Sequence, residues 1–336
     1  MNSNRPWKNF LISLNGQLAL TDNHFHNSTF QMRDTFSYTL HEVAKSIPNI
    51  FIIVADISPA ASMEPFRKEF PDRFYNVGVS EQSMISLCTG LALRGCNPFA
   101  YTIAPFAIYR PFEHIRVELC YQNLPVTIVG VGAGVAYSVA GATHNAIEDI
   151  GIMSALPNMS IIAPCDPEEL KPAIWACANH NGTVYLRLGK AGEPILTKNA
   201  PEPFEFKKIR KIKDGSKVAI VGYGPILSMA FEAADHHHKK TGVEPAIFSV
   251  HTLKPIDNER IRSILNEYER VIVLEEATPP GSLAGQVKQI AWDFQVSCKI
   301  RNIGLKDQFI KCYGTKTELL AAHGVTMDAL LNQFTN

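Results

Sequence analysis

The stretch Asn49-Ile-Phe-Ile-Ile-Val-Ala55 decides the fold class, because it is a continuous apolar run that stops abruptly at Asp56. Strands without polar alternation are typical of parallel sheets, whose two faces are both covered by helices. Similar runs recur between segments of helical periodicity, and this alternation predicts an α/β domain with a mostly parallel sheet. The further strands expected in this domain cover residues 98–102, 125–131, 159–163 and 184–188.

The alternation of strands and helices is interrupted at residues 193–213. This segment contains three prolines and a basic run, and its composition predicts a domain linker. The basic run is more typical of a solvated strand edge than of a binding patch. A second series of alternating strands and helices follows. The sequence therefore predicts two doubly wound α/β domains, the second of them smaller. The expected boundaries are an N-terminal extension at 1–30, a first domain at 31–195, a linker at 196–213 and a second domain at 214–336.

The composition excludes several classes of protein. The 32 basic and 32 acidic residues balance, whereas nucleic-acid-binding proteins usually carry a basic excess, so we expect no nucleic-acid partner. No apolar run reaches eighteen residues, and the first residues lack the pattern of a secretory signal, so we expect no membrane span. The seven cysteines form no CxxC pair, which favours reduced thiols in a cytoplasmic protein.

A second informative stretch, Tyr75-Asn-Val-Gly-Val-Ser-Glu-Gln82, delivers Glu81 into the start of a very apolar helix. A carboxylate at this place will be largely buried, and burial raises a carboxylate pKa unless a partner compensates. Such a group could hold or hand over a proton near neutral pH. The alternative is a helix-start glutamate that interacts with the helix dipole and the backbone amides.

The segment Gly78-Val-Ser-Glu-Gln82 resembles the thiamine-diphosphate enzymes of the transketolase group, and further matching motifs follow in the family's order. These motifs are Thr102-Ile-Ala-Pro-Phe-Ala-Ile-Tyr-Arg-Pro-Phe-Glu-His-Ile-Arg116, Gly141-Ala-Thr-His-Asn-Ala-Ile-Glu-Asp149, Ala155-Leu-Pro-Asn-Met159, Ala163-Pro-Cys-Asp-Pro-Glu-Glu169, Val250-His-Thr-Leu-Lys-Pro-Ile-Asp257 and Leu274-Glu-Glu276. The resemblance is collinear over nearly the whole chain. It implies a pyrimidine-binding domain followed by a transketolase C-terminal domain.

One family element has no match in this chain, namely the Gly-Asp-Gly motif with its metal-ligating asparagine, which binds the diphosphate. The resemblance therefore implies the second subunit of a split transketolase, with no metal ligands of its own. Thiamine diphosphate would be the cofactor, and Mg²⁺ or Ca²⁺ would be bound mainly by an N-terminal transketolase subunit in an α2β2 heterotetramer. The expected reaction transfers a two-carbon ketol unit from a ketose donor to an aldose or aldehyde acceptor.

The resemblance also assigns roles to individual residues. Glu81 stands where the family's glutamate protonates a ring nitrogen of the aminopyrimidine, and His144 stands where a histidine contacts the substrate near the reacting carbonyl carbons, so both are predicted to be catalytic. The other residues implied to bind the cofactor are Asp56, Ile57, Phe106 and Tyr109. The alternatives are a turn cap for the aspartate, core packing for the two aromatic side chains and a structural role for the histidine.

The substrate-binding positions depart from the family, which holds the substrate phosphate with two arginines, a serine and a histidine. Arg33 matches the first arginine, and Lys190 replaces the second, with Arg187 close by. A lysine cannot offer the bidentate fork of an arginine. We expect these three residues and His144 to bind the substrate.

Three polar family positions are lost, since they are occupied by Ala60, Gly132 and Ala140. Such losses predict a non-standard substrate preference, for a ligand whose tail is differently shaped but still anionic. An uncharged tail, with Arg33 in a structural ion pair, is the alternative. We therefore expect common sugar phosphates to be poor donors, and Gly132→His with Ala140→Asp to improve their use.

Two other functions stay open at this stage. The first is a subunit resembling 1-deoxyxylulose-phosphate synthase or the beta chain of a 2-oxo-acid dehydrogenase, either of which decarboxylates an oxo acid. The Thr143-His144 pair and the run at 155–158 favour the transketolase side. The second is a non-catalytic scaffold or regulatory subunit, and the joint presence of Glu81, Phe106 and His144 argues against it.

Overall fold

Two sheets organise the chain in the computed structural model, which describes residues 31–57 and 60–334, and only the backbone of residue 60. The predicted N-terminal extension at 1–30 lies outside the described residues. The first strands in chain order are β1 Ile50–Val54, β2 Phe74–Asn76, β3 Asn97–Ile103, β4 Thr127–Val131, β5 Met159–Ile162 and β6 Thr183–Leu188. The later strands are β7 Arg210–Lys213, β8 Val218–Gly222, β9 Ala246–Ser249, β10 Thr252–Lys254, β11 Arg270–Leu274 and β12 Lys299–Ile303.

The first sheet has seven strands in the order β10-β5-β6-β4-β3-β1-β2, and every neighbouring pair is parallel except β10 with β5. Helices cover both of its faces, because apolar side chains point to both sides of these strands. One face is covered by α1 Met32–Ser46, α2 Ala60–Glu69 and α7 Pro167–Ala178. The other is covered by α3 Glu81–Leu93, α4 Ala104–Ile108, α5 Phe112–His114 and α6 Asp149–Ser154, with a π-helical turn at Ile115–Cys120.

The second sheet has five strands in the order β12-β11-β8-β9-β7, and only β7 is antiparallel to its neighbour. Its helices are α8 Leu227–Thr241, α9 Asn258–Glu267, α10 Leu283–Asp293, α11 Lys316–Ala322 and α12 Met327–Asn332. The predicted fold class, two α/β domains built on mostly parallel sheets, is confirmed.

Three strands, β2, β7 and β10, were not among the strands predicted from the sequence, and each lies at the edge of a sheet. β7 lies inside the range predicted as linker and carries part of its basic run, so it forms the edge of the second sheet. β10 follows β9 directly but pairs with β5 in the first sheet, where Thr252 lies opposite Ile162. One apolar cluster also continues from the first sheet into the second. The two sheets are therefore joined by both a strand and a shared core.

The parallel strands of the first sheet all end at one edge, which is where α/β folds place their ligands. Five positions of functional interest follow those strand ends. In chain order they are Asp56 after β1, Glu81 after β2, Phe106 after β3, Gly132 after β4 and Lys190 after β6. None of the described helices is long and apolar enough to cross a membrane.

Candidate active site

Glu81 is the first residue of α3, and its side chain is buried, with 3% of the residue exposed. The turn before it is fixed by Asn76, whose Oδ1 accepts hydrogen bonds from the amides of Asp56 and Gly78 at 2.9 Å each. Gly78 has a φ of 73°, a conformation that favours glycine. This tight turn brings Glu81 to the helix start, and its burial there agrees with the sequence expectation.

Arg110 is the partner of this carboxylate, and the sequence analysis gave it no role although it lies within one of the family motifs. Its Nη1 donates to Oε1 and Oε2 of Glu81 at 3.0 and 3.1 Å. Its guanidinium carbon also lies 4.5 Å from the centroid of the Phe106 ring. The arginine side chain is 48% exposed, so it reaches this position from the solvent side. We call Glu81, Phe106 and Arg110 the cofactor end of the site.

The cofactor end has the shape and chemistry that an aminopyrimidine requires. The Arg110 guanidinium is a planar group with N–H donors, and it fits between the face of Phe106 and the carboxylate of Glu81. It therefore stands in for a planar ring that stacks on an aromatic face and donates a hydrogen bond to a buried carboxylate. Among the described residues, no group of three His, Cys, Asp or Glu side chains is arranged to hold a metal ion.

His144 lies beside the cofactor end. The centroid of its ring is 5.1 Å from that of Phe106, and the two planes are inclined by 69°. Its Nδ1 is 2.9 Å from the Thr143 hydroxyl, and its amide donates to the carbonyl of Gly141 at 3.0 Å. The Phe106 and His144 rings thus lie side by side, and the histidine is partly accessible.

Asp56 and Ile57 lie at the exposed end of β1. Asp56 has a φ of 57°, which is uncommon for a residue with a side chain and is tolerated by aspartate in turns. Its Oδ1 accepts a long hydrogen bond, at 3.4 Å, from the Asn76 amide group. The structure thus gives Asp56 the turn-capping contacts of the alternative interpretation, and its role at the cofactor stays a prediction.

Tyr109 is turned toward the second domain. Its hydroxyl donates to Oε2 of Glu148 at 2.7 Å, and burial, together with the charges of Asp149 and Glu148, raises the pKa of the phenol. A cavity of about 320 Å³ adjoins it. The residues around this cavity are Tyr109, Ala142, Asn145, Ile147, Glu148, Phe309 and Ile310. The hydroxyl therefore has a partner within the chain, and cofactor binding by Tyr109 stays a prediction.

Arg187, which the sequence predicts to bind the substrate, is buried and paired within the chain, and its contact with the substrate stays a prediction. The side chain is 4% exposed, and its Nε donates to Oδ2 of Asp149 at 2.7 Å. Its Nη2 donates to the carbonyl of Glu276 in the second domain at 3.2 Å. Burial on a central strand and a fully buried carboxylate partner make Arg187 a structural link between the domains, because its donors are already engaged.

Arg33 and Lys190 are both near Tyr137, a residue that no motif of the sequence marked. Lys190 places its Nζ 4.4 Å from the centroid of the Tyr137 ring. Burial raises the pKa of Tyr137, and the nearby charge of Arg33 acts in the opposite direction. We call Arg33, Tyr137 and Lys190 the tail end of the site. The Tyr137 ring also lies 5.8 Å from that of His144, which joins the two ends.

Gly132 explains where the Tyr137 ring sits. Its φ is 71°, and a Cβ added there would lie 2.0 Å from Cε2 and 2.4 Å from Cδ2 of Tyr137. The space above Gly132 is therefore already filled by an aromatic ring, which would have to move to admit the histidine of Gly132→His, and the gain expected from Gly132→His with Ala140→Asp stays a prediction. Ala140 lies exposed in a short 3-10 turn, and the side chain of residue 60 is outside the described part.

Comparison with known proteins identifies the family of both domains. Residues 28–192 match the model of the transketolase pyrimidine-binding domain, and residues 207–330 match that of the transketolase C-terminal domain. A putative transketolase C-terminal section from Methanocaldococcus jannaschii is 35% identical over 89% of this chain and 93% of its own. The B-type subunit of apulose-4-phosphate transketolase from Phocaeicola vulgatus is 29% identical over 90% and 96% of the two chains. A solved split gene transketolase, described as an inactive beta4 tetramer, has a TM-score of 0.80 at 31% identity and covers 91% and 97%.

Proposed function

Because this chain belongs to the transketolase family, we propose that it is the pyrimidine-binding subunit of a two-component, thiamine-diphosphate-dependent enzyme that transfers a two-carbon ketol unit. The observation that carries the proposal is the arrangement of side chains at the cofactor end. There a buried carboxylate and an aromatic face hold a planar hydrogen-bond donor between them. A sugar donor and an aldose or aldehyde acceptor are the proposed substrates.

Each residue of the site has a task in this reaction. When bound, thiamine diphosphate supplies the electron sink that lets a carbon–carbon bond next to a carbonyl break and form. Glu81 holds a proton at its carboxylate and shares it with the pyrimidine ring nitrogen, and Phe106 fixes the plane of that ring. His144, beside Phe106, orients the substrate hydroxyls or moves a proton at its imidazole. Arg110 is half exposed, so it can turn outward when the ring takes its place.

A partner protein completes the proposed enzyme. The chain carries no Gly-Asp-Gly motif, so the diphosphate and its Mg²⁺ would be held mainly by a separate diphosphate-binding subunit. The names of two similar proteins support this proposal, since one is a B-type subunit and the other is a split gene transketolase that was inactive as a beta4 tetramer. We propose an α2β2 assembly for this chain. The domain boundaries at 31–195 and 214–336 are part of the same proposal.

The proposal is tested by comparing the purified chain with the chain co-purified with its partner. Each preparation is assayed for two-carbon transfer from several ketoses, with and without thiamine diphosphate and Mg²⁺. We expect the chain alone to be inactive and to bind the cofactor poorly, and the partner to restore both properties. Full Mg²⁺-dependent activity from the chain alone would show that the two-component proposal is wrong.

A further inference from the structure

Resting on the proposed function, we propose that the cavity of about 320 Å³ between the two domains is a docking site for the partner subunit. In this proposal a segment of the diphosphate-binding subunit inserts an apolar side chain into the cavity. The backbone next to that side chain pairs with the carboxamide of Asn145, and a basic side chain of the same segment faces Glu148. We call the cavity and the exposed rings of Phe309 and Tyr313 beside it the docking surface.

The first support is the carboxamide of Asn145, a residue that lines the cavity. The residue is 5% exposed, and neither its Oδ1 nor its Nδ2 has a hydrogen-bond partner within the described part of the chain. A buried amide in this state is destabilising, because it has given up its hydrogen bonds to water without a replacement. One donor and one acceptor side by side match the N–H and C=O groups of a peptide backbone, so a polypeptide segment can satisfy both.

The second support is the chemistry of the cavity walls. Apart from Asn145 and Glu148, the described residues around the cavity are apolar or aromatic, so they favour an apolar side chain. Glu148 accepts a hydrogen bond from the Tyr109 hydroxyl at 2.7 Å, but no cation of residues 31–57 and 60–334 forms an ion pair with it. A carboxylate in this setting favours a basic side chain and opposes an anion.

The third support is the loop between β12 and α11, which presents aromatic side chains outward from an anchored backbone. Ile310 is buried, at 6% exposure, whereas Phe309 and Tyr313 are 74% and 75% exposed. The loop ends in the capping box that Thr315 and Glu318 form at the start of α11. Large aromatic side chains on an anchored loop suit the centre of a protein interface, because little conformational entropy remains to be lost on binding.

The fourth support is the position of the docking surface beside the candidate active site. Tyr313 packs against Gly141, where a Cβ would lie 2.6 Å from Cε1 of the tyrosine, so this loop of the second domain reaches the segment that carries His144. Asn145 directly follows His144, whose ring centroid is 5.1 Å from that of Phe106 at the cofactor end. A subunit that holds the diphosphate of a cofactor bound here has to approach this edge. A second copy of this chain brings no Gly-Asp-Gly motif, so the partner subunit is the favoured occupant.

The proposal is tested by the affinity of the purified chain for the purified diphosphate-binding subunit, measured by calorimetry. We expect Phe309→Ala to weaken the association about thirtyfold and Tyr313→Ala about tenfold, as for aromatic anchors of other interfaces. Trp292→Ala removes an equally exposed aromatic side chain from α10, so it is the matched control and should bind like wild type. Wild-type affinity of both Phe309→Ala and Tyr313→Ala would overturn the proposal.

Asn145→Leu separates a docking contact from a structural one. Because the amide has no partner in the free chain, its replacement should leave the midpoint of urea denaturation of the free chain unchanged or higher, yet weaken binding of the partner about tenfold. Glu148→Gln keeps an acceptor for the Tyr109 hydroxyl but removes the charge, so the affinity for the partner should depend less on salt. An Asn145→Leu chain that is less stable but binds the partner like wild type would overturn the proposal.

Backbone hydrogen–deuterium exchange in the assembled complex distinguishes failure of the docking surface from failure of the proposed function. We expect binding of the partner to slow exchange at residues 141–148 and 306–314 and to leave α10 unchanged. An active complex in which these two segments stay unprotected would overturn the docking surface alone. A complex with protected segments but without two-carbon transfer would contradict the proposed function alone.

Sedimentation of the chain without its partner tests the other occupant, a second copy of the chain. We expect Phe309→Ala to leave the self-association of the chain unchanged. If the variant instead loses self-association and keeps wild-type affinity for the partner, the surface lies between copies of this chain and the proposal is wrong. If the wild-type chain binds no diphosphate-binding subunit, the docking surface and the two-component function are both wrong.

Discussion

At the cofactor end, Glu81 and Phe106 lie in the first turns of helices that start directly after strands, whereas at the tail end Tyr137 lies in the irregular segment between β4 and α6. A helix start fixes the direction of its first side chains through the backbone, so a glutamate there points to the same place whatever surrounds it. In the irregular segment, position depends on local partners such as Gly132. The two ends of the proposed site therefore differ in how the positions of their side chains are fixed.

The largest effect is expected at the cofactor end, from Glu81→Gln. The amide cannot donate the proton that the ring nitrogen requires, so activity of the assembled enzyme should fall about 10²- to 10⁴-fold. The measurement is hydrogen–deuterium exchange at C2 of the cofactor thiazolium ring in the assembled complex. Glu113→Gln is the matched control, because Glu113 pairs with Arg116 on the surface. Unchanged exchange in Glu81→Gln would remove this residue from the mechanism.

A smaller effect is expected from Arg110→Met, which leaves the buried Glu81 carboxylate without its cation. The free energy of unfolding of the purified chain should fall by about 2 kcal/mol, measured by urea denaturation, because a buried acceptor loses its donor. Arg116→Met removes an exposed ion pair instead and should change little. In the double variant with Glu81→Gln, most of the loss should disappear, since no charge is left unpaired.

Arg110→Met also tests whether Arg110 competes with the cofactor for contact with Glu81 and Phe106. In the assembled complex we expect Arg110→Met to bind thiamine diphosphate at least as tightly as wild type, because the arginine contacts the two side chains that the ring would use. Weaker cofactor binding would mean that Arg110 holds the cofactor rather than yielding to it. The measurement therefore shows whether Arg110 has to leave the cofactor end before thiamine diphosphate binds.

The sequence predicted the parallel sheets and the position of Glu81 well, because apolar runs and a glycine turn are local properties of the chain. It did not reveal contacts between distant segments. Arg187 lies in a segment that the sequence predicts as a strand. Only the folded protein shows that its side chain donates to Asp149 and to the carbonyl of Glu276. Likewise, no local pattern predicts that β10 leaves the second domain to pair with β5.

Tyr137 shows the same limit within the site. The sequence indicates a lost polar group at position 132, but no motif marks the residue five positions later that fills the space. The usable signal was the combination of a glycine with an aromatic residue in one short segment. When a binding site lacks an expected polar side chain at one position, the neighbouring positions should therefore be examined for a residue that fills the same space.

The smallest expected effect sharpens the description of the tail end as a matched pair. Gly132→Ala places a Cβ against the Tyr137 ring and forces a residue with a side chain into a left-handed conformation. The strained backbone alone costs about 1–2 kcal/mol, and displacement of the ring should add to it. In the Tyr137→Ala background only the backbone cost remains, so a double-mutant cycle by urea denaturation should give a coupling energy of about 1–2 kcal/mol. Gly192→Ala, at a φ of 80° with no neighbour within 4 Å, is the control for backbone strain, and it should show no coupling with Tyr137→Ala. Additive effects of Gly132→Ala and Tyr137→Ala would mean that the two positions contribute to stability independently. The description of the tail end as a matched pair would then be wrong.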